Sequence, residues 1–301
     1  MTARAATALV VAAVLAVAAF AVADSVRPEP SESLDERAAA QLRELGVTGT
    51  LVYTDSSCGL HALSLPDLKP AKPPDALDLG CEISVSPDGR EAAPGGARWS
   101  PDGSHYAICH ANLIDVVPGP EAYDGCAPAW RPDGMLTFVR NGAIRQARFE
   151  RVLVPRRELV RAALDHPNAP SDGTVTQLDV HDLVWSSPRE VVALIEARYR
   201  FGPPEGNTVV AGFREGRLAW QAPRFGSFRR LIVSRGGDVV PIPVDRQQLS
   251  VRFRITPSGP ADWSPDGEQL AAATRASVYI LESRAARSVR IPLTVRDLAW
   301  R

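Results

Sequence analysis

A five-residue phrase recurs along the chain and limits what it can fold into. The phrase is Trp99-Ser100-Pro101-Asp102-Gly103, echoed as Trp130-Arg131-Pro132-Asp133-Gly134 and Trp263-Ser264-Pro265-Asp266-Gly267. Weaker copies are Ser86-Pro87-Asp88-Gly89 and Trp185-Ser186-Ser187-Pro188. Ser, Pro, Asp and Gly at four successive corners suit a type I turn, because Pro pre-sets φ and Gly accepts the closing geometry. The Trp ahead of the turn sets a large apolar body at the same point of each unit. Apolar runs follow: His105–Cys109, Met135–Val139 and Gln269–Ala273, with a further run at Val278–Leu281. Short strands separated by recurring turn signals predict an all-β fold.

Composition adds bounds. At 301 residues the chain can hold one large β domain or two ordinary ones. A hydrophobic share of 45% is enough for a sizeable core. The formal charge of -1 gives no reason to expect nucleic acid as a partner.

Repeated three times with clear copies, the Trp-Ser-Pro-Asp-Gly phrase leading into a pair of strands resembles the repeat of TolB-like β-propellers. The resemblance spans residues 50–301 and fades over residues 186–262, where Phe228 is the candidate for the missing Trp. With Trp99, Trp130, Trp185, Phe228, Trp263 and Trp300 as anchors, the span divides into six units of about 42 residues, the length of a four-stranded blade. A six-bladed propeller is expected, with seven open. The terminal run Asp297–Arg301 looks like the first strand of a unit whose continuation is Leu51–Asp55, which would close a ring and protect edge strands.

The resemblance also bears on the four cysteines, for which three pairings exist. Cys58 and Cys109 follow corresponding strands of adjacent repeats, and Cys81 and Cys126 lie upstream of the next phrase. The repeat therefore suggests Cys58–Cys81 and Cys109–Cys126. A metal site is the rival, although no Cys-x-x-Cys pair exists.

The N-terminus speaks to compartment. Arg4 precedes an uncharged run, Ala5–Ala23, which as a helix rises about 28 Å, near the thickness of a bilayer core. The run ends Ala21-Val22-Ala23, a small-x-small pattern that also fits signal-peptidase cleavage. Residues 1–23 are thus a signal peptide or a membrane anchor, and the remainder is expected to be extracytoplasmic. Residues 24–49 read as an exposed tether and a short helix, with capping-box spacing at Ser33–Glu36 and Gly46 placed to end it.

Two further features are local. Arg140, Arg145, Arg148, Arg151, Arg156, Arg157 and Arg161 crowd one stretch, as a solvated face or as a docking surface for an acidic partner. Within it, Pro155–Asp165 reads as an amphipathic helical insertion with Leu159, Val160, Ala163 and Leu164 on one side, either capping the rim or docking a partner.

Catalytic signatures are sparse. The sequence has no Gly-x-Ser-x-Gly nucleophile phrase, phosphate loop or His-Glu-x-x-His helix, and no cofactor is implied. The histidines His61, His105, His110, His166 and His181 are scattered singly. Asp102, Asp133 and Asp266 recur because the turn wants them. Glu82, Asp179, Asp182, Asp262 and Asp297 precede inner-strand candidates and could converge in a channel, as in metal-dependent hydrolases or lactonases built on propellers. The TolB-like resemblance instead implies a non-catalytic scaffold for a protein or peptide partner at the cell envelope.

Overall fold

The computed structural model describes residues 34–301 except 77–78, 168, 171–173, 201–206, 225–227, 235, 244–258, 275 and 283–286. The apolar run Ala5–Ala23 and the tether that follows lie outside the described residues.

The described residues open with helix α1 (Leu34–Glu44). Gly46 ends it at φ +67°, where its amide donates to Arg43 O at 3.0 Å and that of Val47 to Leu42 O at 3.0 Å. This pair of bonds satisfies carbonyls left open at a helix C-terminus.

The other regular elements among the described residues are strands and one further helix. Strands β1 (Gly49–Thr54), β2 (Leu60–Leu65) and β3 (Lys69–Pro70) pair antiparallel as a first sheet. The second holds β4 (Asp75–Ala76), β5 (Ile83–Val85) and β6 (Glu91–Pro94), with β6 in the middle. The third holds β7 (Arg98–Trp99), β8 (Tyr106–His110), β9 (Leu113–Val117) and β10 (Ala122–Asp124). The fourth runs β11 (Cys126–Trp130), β12 (Leu136–Arg140), β13 (Ala143–Gln146) and β14 (Val152–Val154). After helix α2 (Arg156–Leu164), the fifth runs β15 (Val175–Ser187), β16 (Glu190–Tyr199), β17 (Asn207–Arg214) and β18 (Arg217–Arg224). The sixth has β19 (Phe228–Val233) and β20 (Val239–Pro243), and the seventh β21 (Ala261–Trp263), β22 (Gln269–Ala273), β23 (Val278–Glu282) and β24 (Ser288–Ile291). The last strand, β25 (Asp297–Trp300), returns to the first sheet and pairs with β1, Leu51 opposite Trp300 and Thr54 opposite Asp297.

Hydrogen bonding keeps the described sheets separate, and side chains join them. Strand residues alternate between faces. In β16, Val191, Ala193 and Ile195 pack with Ile144 and Val154 of the fourth sheet, while Val192 and Leu194 pack with Leu231 of the sixth. Both faces of the fifth sheet are therefore buried, which explains its unbroken apolar run. The same pairing recurs around the molecule. Ile232 meets Leu270, Ile280 meets Leu298, Val52 meets Ile83, Ala93 meets Ile108, and Ile114 meets Phe138. Each sheet thus packs on the next, and the seventh on the first. Each fully buried Leu or Ile contributes roughly 1.5–3 kcal/mol to this arrangement.

The first strands β25, β5, β7, β11, β15, β19 and β21 touch one another in that cyclic order. Six units are expected from spacing, but the described residues form seven sheets. The difference lies at Ser86-Pro87-Asp88-Gly89, which has Val85 where a Trp would stand and carries its own small sheet.

The helices cover seams between sheets. Ala38 and Leu42 of α1 pack with Val289 and Ile291, and Leu159 and Ala162 of α2 pack between the fourth and fifth sheets. Tyr199 Oη donates to Ala163 O at 2.6 Å, and Glu158 Oε2 accepts the amide of Leu218 at 3.0 Å. The insertion is thus built into the rim, with Leu159, Ala162 and Ala163 buried. Cys58 is disulfide-bonded to Cys81, and Cys109 to Cys126. Two such bonds fit an oxidising, extracytoplasmic compartment.

Candidate functional site

A recurring turn joins a first strand to the strand paired with it in the same sheet. In three copies the serine hydroxyl (Ser86, Ser100, Ser264) donates to the Asp two residues on, at 2.6–2.7 Å. The same oxygen accepts the amide five residues on, from Glu91, His105 and Gln269, at 2.9–3.0 Å. Gly103, Gly134 and Gly267 sit at φ between +73° and +83°, a region that favours glycine. Where Ser is replaced, Arg131 Nε donates to Asp133 Oδ1 at 2.9 Å instead. These bonds lower the pKa of three of the Asp carboxyls. Asp88 and Asp133 lie below their usual range, and the hydroxyl of Ser100 with the amide of Ser104 brings Asp102 to about 2.

The turn also occurs where the phrase is unreadable. Gly237, at φ +87°, donates to Ser234 O at 2.9 Å, and Ser234 Oγ accepts the amide of Asp238 at 3.0 Å. Val233 therefore occupies the Trp position, and Phe228 only begins the strand.

Three tryptophans bond across to the neighbouring sheet. Trp99 Nε1 donates to Ser84 O at 3.1 Å, and Trp130 Nε1 to Arg98 O at 2.7 Å. Trp185 Nε1 donates to Thr137 Oγ1 at 3.0 Å, whose hydroxyl passes the chain on to Ala129 O at 2.8 Å. Trp300 Nε1 reaches Thr48 O at 3.0 Å, whereas Trp263, 5% exposed, has no partner for its Nε1 among the described residues.

The first strands enclose two cavities. One, of about 440 Å³, takes lining residues from every sheet, and five of the chain's six tryptophans (Trp99, Trp130, Trp185, Trp263 and Trp300) are among them. The other, of about 430 Å³, is polar, lined by Glu82, Arg98, His110, Asp182, Arg230 and Asp297 among others. Ser84, Ala97 and Arg98 line both.

The acids singled out in the sequence are already engaged. Asp182 Oδ2 accepts the amide of Leu231 at 2.6 Å and pairs with Arg98 across the centre. Asp297 Oδ2 accepts the amide of Ile83 at 2.9 Å, and Arg230 lies 3.5 Å from its Oδ1. Asp262 Oδ2 accepts the amide of Trp300 at 3.0 Å and pairs with Arg301 at 2.9 Å. In all three, Oδ1 also accepts the next residue's amide. Each carboxylate thus fastens one first strand to the first strand of the next sheet. Asp179 lines neither cavity and accepts from Gln177 Nε2 at 2.5 Å.

The histidines do not gather. His61 bonds Asp55 at 2.8 Å, His105 bonds Ser104 at 2.7 Å, and His181 bonds Glu196 at 2.9 Å. Among the described residues, no three His, Cys, Asp or Glu side chains cluster to hold a metal ion. The cavity arginines Arg98, Arg230 and Arg301 carry no distinguishing signal in so Arg-rich a sequence.

No family model matches the chain, and no curated protein matches it. It is similar to a solved structure described as KlHsv2 with loop 6CD replaced by a Gly-Ser linker, at 14% identity and a TM-score of 0.31. That alignment covers 68% of this chain and 84% of the other, and a likeness so low carries no argument about fold or function.

Proposed function

We propose that residues 50–301 form a TolB-like β-propeller of seven blades, acting outside the cytoplasm as a non-catalytic scaffold for a protein or peptide partner at the cell envelope. The seven-sheet cycle of packing and the recurrent Ser-to-Gly turn support the architecture. The run Ala5–Ala23 would deliver the chain as a signal or hold it as an anchor.

One observation carries the binding reading: five tryptophans converge on a cavity of about 440 Å³ to which all sheets contribute. Aromatic side chains supply large contact area at low entropic cost, and they are enriched where partners dock. The metal-dependent hydrolase reading draws less support, because Asp182, Asp262 and Asp297 spend their carboxylates on amides and arginines.

A photo-crosslinking residue at Pro265, which lines the cavity, tests this against one at Asp67 on the outer side. In the full-length chain, a defined envelope protein should couple to the first position and not to the second. Coupling alike from both, or from neither, would overturn the reading.

A further inference from the structure

The Arg-rich stretch resolves into spent and open charges. Arg140 pairs with Asp124 at 3.0 Å and Glu150 at 3.1 Å, and Arg145 donates to Glu150 O at 2.9 Å. Arg157 and Arg161 sit beside Glu158 on α2, and Arg148 lies 5.8 Å from the Phe149 ring centre. Arg148, Arg151 and Arg156 have no acidic partner among the described residues, and Arg151, which is exposed, stands at the seam with the fifth sheet. Across the seam, Arg189, in the turn between β15 and β16, is also exposed and likewise has no acidic partner among them.

Both line a groove of about 400 Å³ between the fourth and fifth sheets. Its lining is mixed: Val152 of β14 and Trp185 of the fifth sheet supply apolar surface over the buried Val154, Val191 and Phe213, and Gln146 is among the polar lining residues. Arg131 also lines it, but its charge is met by Asp133, and its guanidinium lies 5.6 Å from the Trp185 ring centre. Glu215 is the sole acid among the lining residues. Within the groove Val152 is 42% exposed, and Phe149, three residues earlier, is 72% exposed.

We propose that this groove binds an acidic peptide segment, with its carboxylates on Arg151 and Arg189 and an apolar side chain against Val152 and Trp185. Guanidinium groups match carboxylates in forked geometry. The unpaired cations give charge complementarity, and the apolar surface of Val152 and Trp185 between them favours a segment in which acidic and aliphatic residues alternate. Neither Arg151 nor Arg189 lines the central cavities, so failure here leaves the propeller reading intact.

The test is fluorescence anisotropy with the full-length chain and a labelled octapeptide alternating Glu with Leu and Val. The probe should bind, and its Gln counterpart should not. Arg151→Gln with Arg189→Gln should weaken binding about tenfold, roughly what two partly exposed charge contacts supply. Arg157→Gln with Arg161→Gln should leave it unchanged. Arg151→Glu with Arg189→Glu should prefer a Lys-for-Glu peptide, which also shows that the altered groove is folded. Equal loss in both glutamine pairs, or no loss in the first, would overturn the proposal. So would binding to phosphatidylglycerol vesicles without binding to the peptide.

Discussion

The carboxylate of Asp297 accepts the backbone amide of Ile83 at 2.9 Å, across 214 positions of sequence. The bond fastens β25 to β5, while β25 itself pairs with β1. Asp182 with Leu231 and Asp262 with Trp300 repeat the device at two other seams. The repetition indicates a structural task.

Asp297→Ala removes that acceptor and leaves Arg230 facing a buried gap, since the Asp297 side chain is 3% exposed. Breaking a buried, hydrogen-bonded charge should cost about 3 kcal/mol in urea unfolding. Asp67→Ala breaks an exposed pair with Arg43 and should cost no more than about 1 kcal/mol. Similar costs would mean that the fastening is incidental.

The tryptophans should divide by their indole partners. Trp300→Phe loses the bond to Thr48 O, whereas Trp263→Phe loses no indole bond to described residues. The first should be the more destabilising by about 1–3 kcal/mol, read from paired denaturant titrations.

Acid should loosen the turns. An unfolded Asp titrates near 3.8, and Asp102 in the turn titrates at about 2. The folded state holds the proton less tightly, so this contribution is complete above pH 3.8 and is lost as pH falls toward about 2. Thermal midpoints of Asp102→Asn and the parent should therefore differ most at neutral pH and converge in acid.

The disulfides close loops with sequence separations of 23 and 17. Replacing either pair with serines should lower stability by about 3 kcal/mol in the chain-entropy model. Unfolding of each double variant under non-reducing conditions checks this.

Legibility in the sequence followed local chemistry. The turns at Ser100, Arg131 and Ser264 were readable because Pro, Asp and Gly act through bonds within four residues. The turn at Ser234 was not, since Ser234-Arg235-Gly236-Gly237 keeps the Gly but drops Pro and Asp. Phe228 drew attention as an aromatic, yet Val233 fills the position. Val85 likewise hid a unit, which is why spacing counted six where seven sheets form. The role of Asp182, Asp262 and Asp297 was out of reach, because their partner amides belong to other sheets. The five-tryptophan cavity was equally hidden, since it exists only once the first strands are side by side.

In the proposed propeller, the pairing of β25 with β1 closes the ring. Hydrogen exchange on the full-length chain tests this at the amides of Ala299 and Arg301, which face β1. The closed ring predicts protection comparable to Val192 and Leu194 in the fifth sheet. Exchange as fast as a frayed terminus, with Val192 and Leu194 still protected, would contradict it.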